Sequence, residues 1–224
     1  GATDPLLPVR IPSPARLLYD VEGEARRLRY HAQAELSWQH DGDRYEARLT
    51  VGAFLVGSRT QASSGRIEPQ GLAPTRFSDK SRNELAAHFD RERGRIVFSA
   101  NTPEAALLPG AQDRLSVFVQ LAALLAAEPD ARRRRPAYTL QTVGAREAEA
   151  WQFRLEGEEA VPVQGQELPA VKLTRHPRRE HDARVELWLA PALGYLPARI
   201  RITQTSGDRI DQVLRALPPA PTAR

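Results

Sequence analysis

Apolar and polar positions alternate along most of this chain. Leu28, Tyr30, Ala32, Ala34, Leu36 and Trp38 alternate with Arg29, His31, Gln33, Glu35, Ser37 and Gln39. This period of two marks a strand with one dry and one wet face. The Asp41-Gly42 pair that follows is a strong hairpin signal. The partner strand repeats the pattern with Tyr45, Ala47, Leu49, Val51, Ala53 and Leu55. A short first strand is expected over LLYDVEG before this hairpin. Further strands are expected over 57–67, 72–82 and 84–92, at Ile96 to Phe98, over 137–143 and through Trp151, Phe153 and Leu155. The last are expected at 168–174 and 183–190, then a hairpin of 197–205 with 208–217. The total is about eleven.

One stretch breaks the alternation. Asp113 to Ala127 reads DRLSVFVQLAALLAA, apolar around most of a helical wheel, with Gln120 alone as a polar residue in its middle. A helix without a polar face is buried on several sides. At this length it falls short of the roughly 20 residues a bilayer span takes. Asp113 is the expected N-cap and Pro129 the expected stop. The predicted fold is mainly β: an antiparallel meander of about eleven strands curled into a barrel or half-barrel around one buried helix. A sandwich of shorter strands is the alternative. Residues 1–15 read as a proline-rich linker, 16–217 as a single β domain with its helix near 113–127, and 218–224 as a disordered tail.

Composition adds a compartment. The chain of 224 residues has no Cys and no Met and carries a net charge of +4, with a pI near 9.8. The missing Cys excludes disulfides and thiolate metal sites. Only Lys80 and Lys172 are lysines, so arginine carries the positive charge. Four prolines in GATDPLLPVRIPSP suggest a linker left after removal of a signal. No segment is long and apolar enough for a transmembrane helix.

Candidate chemistry is sparse. Arg132, Arg133, Arg134 and Arg135 form a run that suits an anion such as a lipid head group. The same run also suits the C-terminus of the helix, where cations are favoured. Without an aromatic-rich basic platform, nucleic acid is not expected as a partner. His176 and His181 flank a turn with Glu180 and Asp182, but its arginines repel a metal ion. No hydrolase elbow, phosphate-cradling glycine loop or zincin motif is present, so neither an enzyme nor a cofactor is expected. The dry side offers Tyr30, Trp38, Tyr45, Phe98, Phe118, Leu121, Trp151 and Phe153 as a hypothetical lining for an apolar ligand. The same residues serve equally as core around the helix. Trp188 falls opposite Val185, Leu187 and Leu189, as a contact surface or as a residue turned in by a bulge.

Leu187-Trp188-Leu189-Ala190-Pro191, Gly194-Tyr195-Leu196-Pro197-Ala198-Arg199-Ile200-Arg201-Ile202 and Asp113-Arg114-Leu115-Ser116 with Gln120-Leu121 resemble a signature of an exported bacterial family, domain of unknown function 3108. The resemblance covers about residues 16–217. The Trp-Leu-Ala-Pro and Leu-Pro-x-Arg pieces are also similar to periplasmic lipoprotein carriers, open barrels with helices in the concavity. The resemblance implies a periplasmic, signal-bearing, non-enzymatic β-protein and brings no catalytic residues. Two functions follow as expectations. One is a binding or carrier module for a hydrophobic or lipid-like ligand. The other is an envelope structural or interaction protein with a filled core and a protein partner.

Overall fold

A computed structural model describes residues 7–53 and 57–219. Leu55, expected at the end of a strand, lies outside them. In chain order the strands are β1 (Ala15–Ala25), β2 (Leu28–His40), β3 (Arg44–Ala53), β4 (Gly57–Glu68), β5 (Gly71–Lys80), β6 (Glu84–Asp90), β7 (Arg95–Phe98), β8 (Ala105–Ala106) and β9 (Gln112–Asp113). Helix α1 (Ser116–Ala127) follows. Then come β10 (Ala137–Val143), β11 (Ala148–Glu158), β12 (Val161–Val163), β13 (Gln166–Leu168), β14 (Val171–Arg175), β15 (Arg184–Leu189), β16 (Pro197–Thr203) and β17 (Arg209–Leu214).

Fifteen of these strands form one sheet, ordered β8-β7-β6-β5-β4-β3-β2-β1-β17-β16-β15-β14-β11-β10-β9. Strands β12 and β13 form a separate hairpin. The first and last long strands meet in the middle of the sheet, where Tyr19 pairs with Leu214. Neighbours are antiparallel apart from β9 and β10. The four strands of two or three residues, β8, β9, β12 and β13, are too short to show a period; the other thirteen lie at the stretches expected above, which a total of eleven undercounts.

The sheet curls but does not close through a backbone ladder, since β8 and β9 remain its edges. Two glutamines bridge the seam instead. Gln141 on β10 accepts from the Leu108 N–H at 2.9 Å and donates to the Ala106 carbonyl at 2.8 Å. Gln112 on β9 donates to the Leu72 carbonyl on β5 at 2.8 Å. Side chains thus cap edges that would otherwise be open to pairing.

Helix α1 is buried from Ser116 to Leu125, as a helix apolar on all sides requires. Gln120 meets the β4–β5 turn. Its Oε1 accepts from the Leu72 N–H at 2.9 Å and its Nε2 donates to the Gln70 carbonyl at 3.1 Å. Gly71, at φ +121°, leaves room for that amide, for a Cβ there would lie 2.2 Å from Gln120 Oε1. The helix starts later than expected. Leu115 precedes its first residue without a side-chain cap. Asp113 still performs the capping chemistry: its Oδ1 accepts from the N–H groups of Leu115 and Ser116, and Ser116 Oγ accepts from the Asp113 N–H. This is the reciprocal pattern of a capping box.

Residues 7–14, expected as part of a linker, have no regular structure but lie against the core. Leu7, Val9 and Ile11 pack on it. The Arg10 N–H donates to the Ala123 carbonyl on α1 at 2.9 Å. Trp38 Nε1 donates to the Pro12 carbonyl at 2.9 Å.

A cavity above the helix

The helix fills only part of the concavity. Beside it lies a cavity of about 940 Å³. Its apolar wall includes Ala32, Leu49, Val51, Val185, Ile200 and Ile210, and Phe118 of α1 faces it as well. The β-strand alternation explains this wall, because every second residue of β2, β3, β16 and β17 points to the concave side. Tyr30 also lines it, with its ring lying over Gly23 on β1, where a Cβ would sit 2.0 Å from the tyrosine ring.

Charged residues ring the cavity, and each cation there has a partner. Arg59 Nε donates to Asp79 Oδ1 at 2.8 Å, with its Nη2 on the second oxygen. Burial pushes the Asp79 carboxyl up, but the hydrogen bond and charge of Arg59 outweigh it and hold the pKa below the usual range. Arg114 pairs with Glu147. Arg175 Nη1 donates to the Ala183 carbonyl at 2.9 Å, and its Nη2 lies 3.4 Å from Asp182. Burial lowers the pKa of Arg175. Trp151 lies between the last two arginines, with Arg175 4.6 Å and Arg114 5.5 Å from its ring centre. Its Nε1 donates to Glu149 at 3.0 Å. Cations stacked on an indole and tied to carboxylates make a rigid, nearly neutral wall.

Of the eight expected lining residues, Tyr30, Phe118 and Trp151 line the cavity. Trp38, Tyr45, Phe98, Leu121 and Phe153 are packed in the filled core. Period-two alternation places the strand residues inside, and the apolar helical wheel does the same for Leu121, but neither says where the helix stops. Arg132, Arg133, Arg134 and Arg135 do not line the cavity. The first two end a 3₁₀ turn, Ala131–Arg133, just after α1. Arg135 stacks over Tyr138 at 5.6 Å. The cations at the cavity are Arg59, Arg114 and Arg175; the first two are isolated in sequence and carry no signal of a rim. Arg175 and His181, which bracket the His/Arg-rich turn, are the one part of the rim that the sequence marks.

That turn separates its two imidazoles. His176 Nε2 lies 2.9 Å from Glu156, whereas His181 lines the cavity. Among the described residues no group of three His, Cys, Asp or Glu is placed to hold a metal. Ser63 donates to Asp113 and lies 2.9 Å from the Tyr45 hydroxyl. All three are buried in the core. Burial pushes the Asp113 carboxyl up to about 6, against the hydrogen bonds that favour its charged form. Trp188 stays on the convex face, in register with Arg199 and Lys172, but only 1% of it is exposed. Arg199, Lys172 and Arg201 lie 4.5, 5.0 and 5.4 Å from its ring centre. A register shift follows it at Leu189. A surface role for this indole would require exposure it does not have.

No helix among the described residues is long and apolar enough to cross a membrane. None of the curated proteins matches the chain. Among solved structures it is similar to a DUF1329 family protein from Desulfovibrio piger ATCC 29098, at 10% identity and a TM-score of 0.33, over 95% of this chain and 88% of that one. The model of the family described as "Protein of unknown function (DUF3108)" matches residues 23–214, and the chain therefore belongs to that family.

Proposed function

We propose that this chain is a non-enzymatic binding or carrier module of the bacterial envelope, taking the apolar part of an amphiphile into the cavity above α1. The observation that supports this reading is the cavity itself. Its volume of about 940 Å³ lies within the range of small-molecule sites, roughly 300–1,000 Å³. An apolar wall with a few polar groups at its rim is the usual form of such a site. The sequence signature at Leu187–Pro191 and Gly194–Ile202 supports export to the periplasm.

The rim argues for the kind of head group. Arg59, Arg114 and Arg175 are each already paired with a carboxylate. An anion there would have to compete with Asp79, Glu147 and Asp182. A neutral or zwitterionic head group fits without breaking a pair. The Arg132–Arg135 run, away from the cavity, has no part in this reading.

The test is native mass spectrometry of the purified protein, with organic extraction of bound material and displacement of a fluorescent fatty-acid ester, whose head group is neutral. A co-purifying apolar mass is the expected result. Val51→Trp, which fills the cavity from β3, is expected to keep the fold and abolish probe binding. A clean apo mass with no probe binding would reject the carrier reading in favour of an envelope interaction protein.

A further inference from the structure

Four glutamines of this chain are buried: Gln112, Gln120, Gln141 and Gln212. Three are satisfied at both ends of the amide. Gln112 accepts from Ser116 Oγ at 2.8 Å and donates to Leu72. Gln120 and Gln141 each accept one backbone N–H and donate to one carbonyl. Gln212 is the exception. It is 3% exposed, and its Oε1 is buried without a hydrogen-bond partner. It is also the one of the four that lines the cavity.

Its surroundings do not explain it. In register, Gln212 lies between Val21 of β1 and Ile200 of β16. Ile210, two residues before it on the same face, is apolar too. A buried amide oxygen without a partner is costly, and a leucine in its place would pack at no such cost. With no partner among its protein neighbours, that oxygen gains one if the amide turns it into the cavity that Gln212 lines and the ligand there supplies a donor. An all-hydrocarbon ligand would shut the amide away from solvent and leave it unpaired.

Building on the carrier reading, we infer that the ligand bears a hydroxyl within its apolar body, placed to meet the Gln212 amide. A hydroxyl both donates and accepts, so it serves either end of that amide. The ligand class is a hydroxylated acyl chain, and Gln212 is the residue that distinguishes it from a plain one.

The experiment compares stearic acid with its 2-, 3- and 12-hydroxy derivatives, all as methyl esters so that no charged head group meets the rim pairs, in displacing a fluorescent fatty-acid ester from wild type and from Gln212→Leu. Each pair shares its head group, so rim contributions cancel. At least one hydroxy ester should bind wild type about 5- to 10-fold more tightly than methyl stearate, the worth of one neutral hydrogen bond. Gln212→Leu should lose that preference and bind methyl stearate at least as well. Its melting temperature without ligand should be no lower than that of wild type. Equal binding of all four esters by wild type would overturn the inference and leave the carrier reading standing. So would a preference that survives in Gln212→Leu, or a marked fall in the melting temperature of that variant, which would make the amide structural. Failure of every ester to bind would remove the carrier reading and this inference together.

Discussion

Strand β2 crosses two different interiors. At one end Leu36 and Trp38 are fully buried, and the Trp38 indole is tied to Pro12. At the other end Tyr30 and Ala32 are half-buried on the cavity wall, and Leu28 at the rim is 73% exposed. The strand, its period and its inward face are the same throughout. The difference is helix α1, which fills one half of the concavity and ends its reach at Phe118. The filled half packs the core, and the open half encloses the cavity. Space inside a curved sheet is therefore decided by what is inserted, more than by the strands that surround it.

The comparison can be broken most severely with a charge. Leu121 is 0% exposed, and Leu121→Arg should prevent folding, since an unpaired buried charge costs several kcal/mol or more. Ile210→Arg, on the cavity wall, should fold and instead block the cavity. Circular dichroism and probe binding on both variants check this. A folded, stable Leu121→Arg would show that the helix is not the core of the molecule.

Truncation separates the halves less violently. Phe153→Ala in the filled half should cost about 3–5 kcal/mol in urea unfolding. Ala32→Leu in the open half should cost far less, because the added methylenes enter space already present. Equal losses from the two would mean that the cavity wall is as tightly packed as the core.

Acidity probes the boundary between helix and sheet. Asp113 has a folded pKa of about 6, above its ordinary 3.8. The group then binds more protons folded than unfolded between these values. Its contribution to stability is full below about pH 4 and is lost as pH rises toward 6. The shift corresponds to a loss on the order of 3 kcal/mol. Asp113→Asn keeps an acceptor for Leu115 and Ser116 and should remove this decline. The paired carboxylates Asp79 and Glu186, held below their ordinary values, act in the opposite sense and at lower pH. The difference between wild type and Asp113→Asn isolates the buried group, and parallel pH profiles for the two proteins would contradict its assignment.

A smaller effect belongs to the helix anchor. Gln120→Leu leaves the Leu72 N–H without its acceptor. A loss of about 1–3 kcal/mol is expected, with probe binding retained. Loss of binding at full stability would instead place Gln120 in the site.

Much of the fold is legible in residue order. The β2–β3 hairpin follows from alternation and from Asp41-Gly42, and β3 pairs with β2 from Tyr45 to Gly52. The buried helix follows from a stretch with no polar face. The short strands β8, β9, β12 and β13 are not legible, because two or three residues carry no period. The rim was also hidden. Arg59 and Arg114 are distant in sequence and ordinary in composition, whereas the conspicuous run at Arg132–Arg135 lies elsewhere.

Local pattern by itself determined which residues face inward, that the sheet is antiparallel and that one helix must be covered. These depend on period and on apolar area, which are properties of neighbouring residues. Only the tertiary structure decided that the sheet stays unclosed with glutamines bridging its edges, and that the helix stops short of Tyr30 and Val51. It alone also left Gln212 Oε1 without a partner among apolar neighbours. Those outcomes depend on where strands distant in sequence come to lie, and a filled interior and an empty one are written in the same alternating residues.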